Sequence, residues 1–296
     1  MNQHLVSKVL LKRFARPEDG KISGFDLPTR EERTDSPRRF GAVEDLVTKD
    51  AEKLERKWNN QVETRLNHAF KIVDRNRPIT EPKVVETIKR CIALHWARGV
   101  AVTKLLGDKF PEYAEKVADG VLEHYDASTL LQHLTGQQFV TLDQEGPARE
   151  VVARRFAKHL EEKGFIGSQF LHHYNKAKER VAPYSLELWH SPGDEFLIAD
   201  IPVCNYNKKR NRVGVLQGVP WNESDLVFMS AGPRHVVALA QQPAVNEAND
   251  RLVEQLNVYQ VRGAFREVYY RPGSGLGNTL SAALGSGRSG STSAAG

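Results

Sequence analysis

The chain has 296 residues, 40% hydrophobic and 27% charged. That composition is ordinary for a globular protein and excludes disorder over most of the length. Lys and Arg outnumber Asp and Glu by 42 to 37, a formal +5, which permits contact with nucleic acid without demanding it. No segment approaches the ~20 apolar residues that span a bilayer, and the stretch from Met1 to Arg13 lacks the apolar run of a secretory signal.

The two cysteines, Cys91 and Cys204, stand in different contexts and are expected to be free thiols. A cytoplasmic, reducing compartment, prokaryotic in style and without membrane attachment, follows as the expectation.

In chain order, Val6, Val9, Leu10 and Phe14 fall at helical spacing and predict a short amphipathic helix ending before Arg16-Pro17. After Gly20, Ile22, Phe25 and Leu27 predict a strand, and the polar stretch from Pro28 to Pro37 a turn or exposed second strand. From Thr48 to about Arg75 apolar residues step by three or four, a helix with Thr48 or Asp50 as N-cap. Thr80-Glu81-Pro82 opens a second helix carrying Val84, Ile88, Ile92 and Trp96. Further helices are expected around 111–126, 146–163 and 167–180.

After Pro183 the period falls to two. Leu186 and Leu188 alternate with polar neighbours, and Ser191-Pro192-Gly193-Asp194 predicts a turn into a second strand from Glu195 to Val203. Leu226 to Met229 and Val236 to Leu239 predict two more strands, Val245 to Phe265 a helix, and Glu267 to Tyr270 a last strand. The expectation is an α+β fold, its helical middle packed on a mainly antiparallel sheet built from N-terminal and C-terminal strands. Residues 1–271 form the domain, and 272–296, nearly all Gly, Ser, Ala and Thr, a disordered tail.

Few motifs carry chemistry. Gly273-Ser274-Gly275-Leu276-Gly277-Asn278-Thr279 has the glycines of a phosphate loop but no lysine, and neither Gly-x-Ser-x-Gly nor His-Glu-x-x-His occurs. His172 and His173, adjacent in sequence, point to different faces of a helix and read as surface or core histidines. The acids are more informative. Glu55 and Glu63, eight residues apart, flank the apolar stripe of the first long helix, where paired carboxylates could hold a divalent cation or act as acid and base. The commoner arrangement for such acids is as solvated residues pairing with Arg56, Lys57 or Arg65. Asp200 interrupts the apolar run Phe196 to Val203 just before Pro202, a position that needs either backbone N–H partners or a metal. Lys208, Lys209, Arg210 and Arg212 form the sharpest basic run, read as a charged loop at a strand edge or as a contact for nucleic acid or another acidic partner.

His4 with Leu10-Leu11-x-x-Phe14-Ala15, a glycine-led strand, Leu54-Glu55 and Val62-Glu63 on one helix, and Ile92-Ala93-Leu94-His95-x-x-Arg98 form an ordered set. With the hydrophobic-Asp-x-Pro-Val strand at 196–203, Val219-Pro220 before Asp225-Leu226, Val245-Asn246 and Leu256-Asn257, it resembles a widespread, mainly bacterial family of unknown function. The resemblance implies no reaction, but marks His4, Glu55, Glu63, Arg98 and Asp200 as family-patterned polar positions. The chain departs from that pattern at Leu5 to Ser7, where an aromatic and a proline are usual, and at His95, where a glutamine is usual.

Two functions are therefore carried forward. One is a metal-assisted hydrolase, with a nuclease as one form of it, in which Glu55, Glu63 and Asp200 hold the cation, His4 is base or ligand, and Arg98 stabilises phosphate charge. The other is a non-catalytic binding module with a buried acid–Arg98 network.

Overall fold

The computed structural model describes residues 2–4, 6–44, 62–99, 145–162, 165–214, 217 and 219–280. The first elements are β1 (Asn2–His4), α1 (Lys8–Lys12), β2 (Ile22–Asp26), β3 (Glu32–Asp35) and β4 (Ala42–Glu44), followed by α2 (Thr64–Val73) and α3 (Pro82–Arg98). Then come α4 (Glu145–Glu162), α5 (Phe165–Val181), β5 (Ser185–His190), β6 (Ile198–Ala199), β7 (Val203–Asn207) and β8 (Arg212–Val213). The chain continues through β9 (Leu226–Gly232), β10 (His235–Ala240), β11 (Ala244–Glu247), α6 (Asp250–Gly263) and β12 (Glu267–Tyr270).

The α+β class is as expected. A six-stranded sheet has the order β11-β5-β10-β9-β7-β8, a four-stranded sheet the order β3-β2-β12-β6, and β1 pairs with β4. Among the described residues all strand pairings are antiparallel except β11 with β5. The early strand does join the late one, with Val268 of β12 opposite Phe25 of β2. β3 is the exposed second strand, charged along its length at a sheet edge, where charge discourages pairing with another chain.

Strand periodicity places the core. Val203, Val227, Met229 and Val237 face one side of the six-stranded sheet and pack with Leu66, Ile88, Ile92, Tyr174 and Ala177 of α2, α3 and α5. Their neighbours Cys204, Phe228, Val236 and Ala238 face the other side, onto Val253 and Leu256 of α6. This alternation of period two gives one sheet two apolar faces, each covered by helix. No described helix is long and apolar enough to cross a membrane.

Four expectations change. Of the helix expected from Thr48 to Arg75, only its second half is described, with α2 preceded by a wider turn at 62–63; residues 48–61 lie outside the described residues, as do 111–126. The run Val245 to Phe265 is a strand followed by a helix. Val245 pairs in parallel with Leu188, and Asn249 separates the two elements by capping α6, its side chain accepting from Leu252 N–H. The hairpin expected from 184 to 203 does not close. β5 pairs with β10 and β11, while β6 crosses to the other sheet and pairs with β12. β6 ends at Ala199, and the next residue, Asp200, still donates its N–H to Glu267 C=O at 2.9 Å. Finally, order continues past Pro272. A helical turn at 276–280 brings Leu280 to 5% exposure against Phe25, Leu197 and Val268.

Candidate functional site

Glu63 and Arg98 come together, from the turn before α2 and the last residue of α3. Arg98 Nη1 donates to Glu63 Oε1 at 3.0 Å, and the Ser7 hydroxyl donates to the same oxygen at 2.7 Å. The guanidinium side chain is 1% exposed and the carboxylate 17%. Burial pushes the Glu63 carboxyl up, but the Arg98 charge and the Ser7 hydroxyl outweigh it and hold it below its ordinary range.

His95 extends the network one turn earlier on α3. Its Nε2 accepts the Ser7 backbone N–H at 3.1 Å, so that nitrogen carries no proton. The hydrogen therefore sits on Nδ1, which lies 2.9 Å from the Cys91 carbonyl and 3.3 Å from Cys91 Sγ. Complete burial, reinforced by the Arg98 charge, pushes the imidazole down to about 4. His95 is thus neutral at physiological pH, and burial pushes the Cys91 thiol up, far from the thiolate form that a nucleophile needs. The two positions that depart from the resemblance, the 5–7 segment and residue 95, are in direct contact here.

Asp200 has different surroundings. Its Oδ1 accepts from Phe265 N–H at 2.8 Å, and its Oδ2 from Arg266 N–H at 2.7 Å and Glu267 N–H at 3.0 Å. Burial pushes this carboxyl up, while the three amides oppose the shift. The side chain ties the end of β6 to the entry of β12. Its hydrogen bonds run to the chain at 265–267 and not to Glu63.

Of the other expected residues, His4 lies in β1 with its backbone opposite Ala42, and nothing is described of its side chain. Glu55 lies outside the described residues. Among the described residues, no group of three His, Cys, Asp or Glu side chains could hold a metal ion. His172 is exposed and His173 half-buried. Cys91 and Cys204 are buried free thiols.

Ser7 was not among the expected site residues, nor were the two buried amides of α6. Asn257 accepts from Leu197 N–H at 2.9 Å and donates to Glu195 C=O at 2.9 Å. Gln260 accepts from Ala199 N–H at 3.0 Å and donates to Pro202 C=O at 3.1 Å. Together they satisfy the free edge of β6 as another strand would. The sequence signal was two amides at i and i+3 on an otherwise apolar helix face.

The basic run forms the β7–β8 turn, at one edge of the six-stranded sheet. Asn207 Oδ1 accepts Arg210 N–H at 2.7 Å, and Asp225 Oδ2 accepts Lys208 N–H at 2.6 Å, which fixes the turn. Arg210 pairs with Glu223 at 2.9 Å and Arg212 reaches Gln217 C=O at 3.4 Å. Lys208 and Lys209 are exposed and, among the described residues, form no ion pair. The loop is thus a turn held by two side-chain acceptors, with two exposed ammonium groups that form no ion pair among the described residues.

Neither the curated proteins nor the solved structures give a match to the chain. One family does, by the description "Protein of unknown function (DUF4238)", over residues 2–274. That span takes in β1, both sheets, the Glu63–Arg98 network and the Asp200 corner, and the chain belongs to this family.

Proposed function

We propose that the protein is a non-catalytic binding module that meets a polyanion, such as nucleic acid, through the β7–β8 turn. The buried acids hold the framework: Glu63 is neutralised by Arg98, and Asp200 is engaged by three backbone amides. The observation that carries the binding reading is the turn itself, where Asn207 and Asp225 fix the backbone and leave the Lys208 and Lys209 ammonium groups in solvent. Such a turn suits phosphate contact, which is electrostatic and independent of sequence. The metal-assisted hydrolase is the weaker reading, because Asp200, one of its three ligands, is already bonded to amides on both oxygens.

Fluorescence anisotropy with a labelled DNA or RNA oligonucleotide tests the proposal. The Lys208→Glu/Lys209→Glu variant is expected to weaken binding and to flatten the plot of log affinity against log salt by about two units. Unchanged affinity in that variant, or no binding by the natural chain at low salt, would sink it. The hydrolase reading is decided separately by thermal shift with Mg²⁺ or Mn²⁺. Metal-dependent stabilisation that disappears in Asp200→Asn would restore the enzyme.

A further inference from the structure

A cavity of about 540 Å³ lies beside α6, bounded by residues 194–197 and the 274–280 turn. Its size falls within the roughly 300–1,000 Å³ typical of small-molecule sites. Leu197, Val253, Val258, Val261, Leu276 and Leu280 give it an apolar lining. Val258 is 45% exposed there, one of two large apolar side chains so exposed among the described residues.

Charge is distributed unevenly along this cavity. Asp250, Glu254, Val258 and Val261 follow one another at i, i+4, i+8 and i+11 on α6, so they share one face. Over about 16 Å of helix that face passes from acid to hydrocarbon. Asp194 and Glu195 add to the acidic end. Glu195 Oε1 accepts from Arg271 at 2.8 Å, while its Oε2 is buried with no hydrogen-bond partner among the described residues. Two cations also border the cavity. Arg262, at the apolar end, donates to Asn211 C=O at 2.7 Å, and Arg251 follows Asp250. Arg271 and, at 3.6 Å, Arg234 offset Glu195, so the acidic end has Asp194, Asp250 and Glu254 against the one further bordering arginine, Arg251.

We propose that this cavity binds a small amphiphile with an ammonium head and an alkyl body. The head lies among Asp194, Asp250 and Glu254, and the body along Val258, Val261 and Leu276. An ammonium group matches the carboxylates in charge and as a donor, and the alkyl body removes exposed Val258 from water. The site is separate from the β7–β8 turn and does not depend on the polyanion reading.

The test is isothermal titration calorimetry of the full chain with three probes of equal chain length: decylammonium, decanol and decanoate, each below its aggregation concentration. Decylammonium is expected to bind about tenfold more tightly than decanol, with decanoate weakest. In Asp250→Asn/Glu254→Gln, the preference for decylammonium over decanol should fall below about threefold, with decanol affinity unchanged. Val258→Lys should abolish binding of all three while circular dichroism stays native.

Equal or tighter binding of decanoate, no binding of decylammonium, or a head-group preference that survives the double substitution would overturn the proposal. A chain ending at Leu280 that binds decylammonium more than tenfold more tightly would also overturn it, making residues 281–296 the natural occupant.

Discussion

Asp200 faces three backbone N–H groups at residues 265–267, whereas Glu63 faces a side-chain cation and a hydroxyl. Burial raises both carboxylates; at Asp200 it prevails and pushes the group up, while at Glu63 the Arg98 charge and the Ser7 hydroxyl together outweigh it and hold the group down. Amides supply partial charges that one turn of chain can aim at one point, but not a full counter-charge. Asp200 is consequently a corner brace, dependent on where the backbone lies. Glu63 is one half of an ion pair that joins the N-terminal segment to α2 and α3.

The largest effect should come from removing the brace. Asp200→Ala leaves three amides without their acceptor and is expected to cost about 4 kcal/mol, read from the denaturant midpoint. A cost below about 1 kcal/mol would mean that the 265–267 turn holds its shape without the carboxylate. Arg98→Met comes next, at about 3 kcal/mol, because it strands a mostly buried carboxylate. Restoring neutrality in Glu63→Gln/Arg98→Met should recover part of that loss, and a double variant as unstable as the sum of its singles would break the ion-pair account.

The two acids should also respond oppositely to pH. Glu63 is lowered in the fold, so its stabilisation is present above its ordinary value of 4.5 and is lost as pH falls through the folded value. Asp200 is raised, so its contribution is greatest below its ordinary 3.8 and declines as pH rises through the folded value. His95, pushed down to about 4 from 6.5, adds stability that is complete above 6.5 and is lost as pH falls toward 4. His235, also pushed down to about 4 by burial, adds a slope of the same sign. Urea midpoints between pH 4 and 7 should therefore fall with acidity, and His95→Gln should flatten the curve at a cost of about 1 kcal/mol at pH 7. An unaltered slope in that variant would assign the effect to His235 and to His173, which burial also pushes down.

The smallest effect is expected at the surface. Arg210→Ala breaks an exposed pair with Glu223 and should change stability by less than about 0.5 kcal/mol.

Much of the fold was legible in local pattern. Pro82 at the start of α3, the alternation of Leu186 and Leu188, and the exposed charge of β3 each reflect the period and chemistry of one element. The candidate residues were legible as acids beside apolar pattern: Asp200 interrupts an apolar run and Glu63 flanks an apolar helix stripe. Their partners were not. Ser7 lies 56 residues from Glu63 and 88 from His95, and nothing in its neighbourhood marks it as the link. A proline in the 5–7 segment would shift this arrangement, since proline at 7 has no N–H to donate to position 95.

Where the reading erred, a distant pairing had decided the local form. Val245 carries a helix-compatible neighbourhood but lies beside Leu188 in a parallel ladder. Ile198 continues an apolar run from a turn, yet finds Tyr269 in the other sheet. Gly- and Ser-rich composition implied that order stops at Pro272, but Leu276 and Leu280 reach an apolar surface made by Phe25, Leu197 and Val268.

By itself, then, the sequence determined the type of most elements, the α+β class and the two acids that had to be satisfied, because periodicity and the cost of burying charge act within a few residues. Only the tertiary structure decided that Asp200 meets backbone amides, that Glu63 meets Arg98 and Ser7, and that an acid-ended cavity lies beside α6. Those outcomes depend on contacts between segments far apart in the chain, whose geometry exists only once the sheets and helices have packed.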